Sequence, residues 1–226
     1  MADVETELSR ISDFIGALDL AKSARVDIDD VAKDVYRKFH ALLAWQVVLS
    51  KDSELKKNGA FDEFLSDSAS SYFLHLTSSY KPCISMLRSG VENLVRTLLL
   101  IEGASVDNID AVWELFAVAR SHFLAKSADW NVIRIDALHA RYGEMCKTVH
   151  SASPEYMSLR VPFERIFEFD QKIFASTQTL IRDVFRLSLE SIFLIAHEKL
   201  SFAHHRIADE IRDAISPSTK ALISKG

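Results

Sequence analysis

The chain has 226 residues, 48% of them hydrophobic and 26% charged, a composition that lies outside the disordered and low-complexity range. A formal charge of -5 gives an average field that repels phosphate backbones and acidic membranes, which excludes general DNA binding and confines any contact with nucleic acid to a local patch. The two cysteines, Cys83 and Cys146, have no second cysteine or near histidine at zinc-ligand spacing, so both are expected as reduced, packed thiols, with no metal and no cofactor.

The start, Met1 to Glu7, is acidic and lacks the cationic and apolar segments of a secretory signal, which points to a cytoplasmic protein. The most apolar long segment, Ile181 to Ile195, contains Arg182, Asp183, Arg186 and Glu190, charges that a lipid-facing helix does not tolerate. It reads as a central core helix, and no membrane is expected as a partner.

Only six Gly and four Pro punctuate the chain, and apolar residues recur three and four apart in segment after segment, the period of helices packed on one face. A first helix is predicted from Val4 to Ala21 with Val4, Leu8, Ile11, Ile15 and Leu18 on one stripe. Asp27 or Asp29 would cap a second, which carries Ile28, Val31, Val35, Phe39, Leu42, Trp45 and Leu49. Ser50 to Gly59 reads as the clearest loop. A helix from Phe61 runs toward Tyr80, Pro82 kinks it or opens the next, and Gly103 ends that one.

Asp107 or Asn108 is expected to start a helix with Ile109, Val112, Phe116, Ala119 and Phe123 inward, and another spans about Asp129 to Val149. After the break Ser151 to Pro154, a long run covers Phe163 to Lys199, and a short helix lies near His204 to Ile215. The fold class is therefore all-α, a single-domain bundle of about seven to nine helices. Residues 1–215 form the domain, with 1–50 an N-terminal helical pair and 61–215 the core, and residues 216–226 are expected to fray.

The segment Lys81 to Ile101 is the most informative. Ile84, Leu87, Val91, Leu94, Leu98 and Ile101 make a heptad stripe for the core, and Arg88, Glu92 and Arg96 fall at its margin, half-buried. The plain reading of Arg88 and Glu92 is a solvated pair four apart. The sharper one is a binding ledge of Arg88, Glu92 and Arg96, where a guanidinium takes phosphate or carboxylate in two-pronged fashion. A second helix carries the buried stripe Ile135, Leu138, Tyr142, Met145 and Val149. Arg134 and Arg141 flank that stripe on one side, and His139, Gly143 and His150 line the other. A histidine at a helix C-terminus also suits the macrodipole, so His150 has an ordinary structural reading as well.

An Arg-x-x-x-Glu helix, Arg88 to Glu92, followed by a helix that ends in Tyr142-x(7)-His150, resembles uncharacterised bacterial members of the HEPN superfamily over roughly residues 71–153. Members are helical bundles, often metal-independent ribonucleases of toxin and antiphage-defence systems, with a signature of Arg and His four to six residues apart. Arg134-Ile-Asp-Ala-Leu-His139 has that spacing, although residues five apart on a continuous helix point about 140° apart. The resemblance implies a homodimer acting on RNA, with His150, Arg141, His139 and Arg134 as catalytic candidates and Arg88, Glu92, Arg96 and Tyr142 for binding.

The alternative is a noncatalytic helical interaction or oligomerisation module in which Phe39 and Trp45 meet a partner protein or a second copy. His197, His204 and His205 read as a solvated face, because adjacent side chains diverge on a helix and no carboxylate at ligand spacing completes a metal site. No Gly-rich phosphate loop, nucleophile elbow, zinc-protease motif or dinucleotide fingerprint is present in the sequence.

Overall fold

The computed structural model describes residues 5–6, 9–10, 12–13, 30–126, 129–150 and 169–223, with only the backbone of 129 and 130. Nine α-helices, one 3-10 helix and no strand occur among them, so the fold is all-α, as the apolar period requires. Most of the predicted Val4–Ala21 helix lies outside the described residues. So do the caps Asp27 and Asp29 and the segment 151–168 with both of its prolines.

Helix α1, Asp30–Leu49, buries Val35, Leu42, Trp45 and Leu49 along one stripe. Trp45 is 0% exposed, and Phe39 stacks on Phe185 at 5.9 Å. Of the two aromatics expected to face a partner, Trp45 is thus a core residue and Phe39 is half-buried against the core, because both lie on the same helical stripe as the other apolar side chains. The predicted Ser50–Gly59 loop contains a short helix, α2, Ser53–Asn58. Its two ends explain it: Asp52 accepts the Leu55 N–H, and Gly59, at φ 76°, returns its own N–H to the Leu55 carbonyl, while Leu55 anchors the turn in the core.

Helices α3, Ala60–Leu76, and α4, Tyr80–Ile101, form an antiparallel hairpin around the tight turn 77–79. Pro82 sits in the first turn of α4, where its missing N–H costs nothing. Ile84, Leu87, Val91, Leu94 and Leu98 of the heptad stripe are buried. Gly103, at φ 75°, ends the helix, and the Ala104 N–H reaches back to the Leu99 carbonyl at 2.9 Å.

The next helix starts later than the sequence suggests: α5 is Val112–Ala125. Asn108 adopts a left-handed conformation at φ 63°, incompatible with helix, while Arg96 Nη2 donates to the Ile109 carbonyl at 2.9 Å and holds the segment as a loop. Helix α6, Asp129–Val149, packs on both α4 and α5.

Helix α7, Gln171–Ala196, opens on Asp170, whose carboxylate accepts the N–H groups of Lys172 and Ile173. It is buried nearly all round in its second half and contacts α1, α3, α4 and α6, the position its continuous apolar surface demands. A 3-10 turn, His197–Phe202, leads to α8, His205–Ala214. The tail expected to fray instead forms α9, Pro217–Ile223. Thr219 is 0% exposed and its hydroxyl accepts from Arg134 Nη2 at 3.2 Å, a tether that competes with fraying. One apolar core runs from Val35 to Ile215, and no helix among the described residues is long and apolar enough to cross a membrane.

Candidate functional site

Helices α4 and α6 lie side by side, and the margin of their shared apolar face brings five polar side chains together. Arg88 and Glu92 are one turn apart on α4. Tyr142 and Cys146 occupy successive turns along the C-terminal part of α6, and His150 directly follows its last residue, Val149. Arg88 Nη1 lies 3.3 Å from His150 Nε2 and 3.8 Å from Cys146 Sγ, with its guanidinium carbon 5.8 Å from the centre of the Tyr142 ring. The Tyr142 hydroxyl donates to Glu92 Oε1 at 2.8 Å.

This arrangement has a definite protonation pattern. A guanidinium only donates hydrogen bonds, so in this contact Nε2 of His150 is the acceptor. Burial first, and then the hydrogen bond to the Glu92 carboxylate, push the Tyr142 phenol well above its ordinary range, so Tyr142 stays a donor. Arg88 forms no ion pair among the described residues, and its Nε is buried without a hydrogen-bond partner. Arg120, Arg134 and Arg141 each lie against a carboxylate. Arg88 is therefore a half-buried guanidinium without a counter-charge, able to take an anionic ligand.

The remaining sequence candidates lie elsewhere. Arg96 is spent on the Ile109 carbonyl. Arg141 bonds Asp183 at 2.6 Å and Glu144 at 2.9 Å. Arg134 reaches Glu190 at 3.2 Å, a 4% exposed carboxylate that also takes Arg186 at 3.3 Å and the Ser216 hydroxyl at 3.1 Å. His139 stacks flat on Phe116, with ring centres 4.4 Å apart.

Arg134 and His139 thus do not converge, and the reason is the angular offset of positions five apart: one points to α7, the other to α5. Of the four catalytic candidates only His150 joins the cluster, and of the binding candidates Arg88, Glu92 and Tyr142 do. Cys146 was missed as a member. Its spacing four after Tyr142 and four before His150 places it on the same stripe, and that spacing was the available signal.

A second polar group escaped the sequence reading. His75 is 0% exposed, stacks on Phe174 at 4.2 Å, and neither ring nitrogen has a hydrogen-bond partner. Burial pulls its pKa down to about 4. His204 caps α8 through Nδ1, and among the described residues no group of three His, Cys, Asp or Glu side chains could hold a metal ion. Compared with known proteins, the chain matches no family model, no curated protein and no solved structure.

Proposed function

We propose that this protein is a HEPN-like helical effector that cleaves RNA without a metal, in a bacterial antiphage-defence or toxin system, as a cytoplasmic homodimer. The observation that carries the reading is the 3.3 Å contact between Arg88 and His150, side chains 62 residues apart in sequence. An imidazole beside a guanidinium without an ion pair is the minimum equipment for attack of a ribose 2′-hydroxyl on its own phosphodiester.

In this reaction the Arg88 guanidinium turns from the His150 imidazole to the phosphoryl oxygens, and the Nε2 lone pair it releases takes the 2′-hydroxyl proton as the oxygen attacks phosphorus. Arg88 stabilises the added negative charge on the phosphoryl oxygens. The P–O bond to the 5′-oxygen breaks, the imidazolium returns its proton to that oxygen, and the products are a 2′,3′-cyclic phosphate and a free 5′-hydroxyl. Glu92 and Tyr142 act as positioning residues that hold the ring under the guanidinium.

The test is growth and total-RNA integrity in cells expressing the wild type, Arg88→Ala, His150→Ala and Arg141→Ala. RNA cleavage is expected in the wild type and in Arg141→Ala, whose arginine is occupied by Asp183 and Glu144, and is expected to vanish in the other two. Intact RNA and normal growth with the wild type would overturn the reading and leave the noncatalytic interaction module.

A further inference from the structure

The last turn of α1, the short helix α2 and the first turn of α3 enclose a groove of about 410 Å³, within the range of about 300–1,000 Å³ in which proteins hold small molecules. None of these three helices carries the Arg88–His150 cluster. The floor of the groove is apolar: Leu49, Leu55 and Phe61 line it, and each is at most 4% exposed. Val47 lines it from the solvent side and is 56% exposed, an apolar side chain on a helix that buries most of its others.

Two opposite charges share this groove without meeting. Lys56, in the last turn of α2, and Asp62, in the first turn of α3, both line it, and neither forms an ion pair among the described residues. Their signs suit the helix ends that carry them, which accounts for the residue types and still leaves both charges without an ionic partner. Asp62 is also held in place. Gln46 Nε2 donates to its Oδ1 at 2.8 Å, tying α1 to α3, while Oδ2 accepts no hydrogen bond among the described residues. Ser50 turns its hydroxyl onto the Val47 carbonyl at 2.8 Å and so pairs with neither charge.

We infer that this groove binds a free α-amino acid with an apolar side chain, the side chain against Val47, Leu55 and Phe61, the carboxylate toward Lys56 and the ammonium toward Asp62. The inference uses no residue of the RNA reading and stands apart from it. Charge decides the ligand class. A fatty acid would answer Lys56 and meet Asp62 with like charge, an aliphatic amine would do the opposite, and a zwitterion answers both. A helix of a partner protein or of a second copy, laid over the groove, would cover both charges at once, and covering charges that gain no counter-charge is costly.

The experiment is an amide chemical-shift titration of the full chain with L-leucine. It is repeated with isocaproate, which lacks the ammonium, with isopentylamine, which lacks the carboxylate, and with glycine, which lacks the side chain. Leucine should give saturable shifts centred on residues 46–62, with a dissociation constant in the millimolar range because both charges are exposed. Glycine should give none. Lys56→Gln and Asp62→Asn should each weaken leucine binding about twofold to fivefold. Isocaproate should bind Asp62→Asn more tightly than the wild type, and isopentylamine should do the same with Lys56→Gln, a reversal that damage to the fold does not produce.

No saturable shift at the solubility limit of L-leucine, or equal leucine affinity in the wild type and both variants, would overturn the inference. So would isocaproate or isopentylamine binding the wild type as tightly as leucine does. Shifts at the same residues that grow with protein concentration in the absence of ligand would overturn it as well, the result expected if a second copy fills the groove.

Discussion

The Tyr142 hydroxyl and Glu92 Oε1, 2.8 Å apart, tie α6 to α4 at the level where Arg88 approaches His150. The bond satisfies a carboxylate and a phenol that are both half-buried, and it fixes the register of the two helices that carry the cluster. Tyr142→Phe keeps the ring beneath Arg88 and deletes only the hydroxyl. Stability in urea is expected to fall by about 1–2 kcal/mol, the cost of leaving a partly buried carboxylate without its donor. Unchanged stability would show that water replaces the hydroxyl there.

Glu190 and Arg134 make a different kind of contact, one that braces the fold. The carboxylate accepts from Arg134, Arg186 and Ser216, joining α6, α7 and the segment leading into α9. Glu190→Ala should therefore cost about 3–5 kcal/mol, because Arg134 would be left largely buried without its counter-charge. Thermal unfolding measures this loss. If RNA cleavage occurs, it should persist in this variant well below its melting temperature, since none of these groups touches Arg88 or His150.

Acid should weaken the protein through His75. Its pKa is lowered from 6.5 to about 4 by burial, so between those values the unfolded chain binds a proton that the folded chain refuses. Stability then rises with pH across that window and is lost as pH falls from 6.5 toward 4. The loss from this one group reaches about 3 kcal/mol at the acid end. Urea unfolding of the wild type beside His75→Phe across this range should show a shallower pH slope for the variant. Parallel curves would mean that other groups carry the acid sensitivity.

Much of the fold was legible in the sequence because a helix in a bundle must show its apolar face every three or four residues. The α4 stripe from Ile84 to Leu98 and the all-round apolar second half of α7 follow from that period alone. Local devices were harder to read. The short helix at Ser53–Asn58 depends on caps at Asp52 and Gly59, and the late start of α5 depends on Asn108 in a left-handed turn held by Arg96. Neither leaves a periodic signal.

For the candidate site, helical spacing determined that Arg88 and Glu92 share one margin, that His139, Gly143 and His150 share another, and that Arg134 and Arg141 face away from those three. Spacing within one helix says nothing of what stands opposite. Only tertiary packing could set Arg88 against His150 and Tyr142 against Glu92, commit Arg134 to Glu190 and Arg141 to Asp183, and pack Phe39 and Trp45 against the core. Each is a contact between helices far apart in the chain. Its geometry is decided by how whole apolar faces fit together and not by the identity of any one residue.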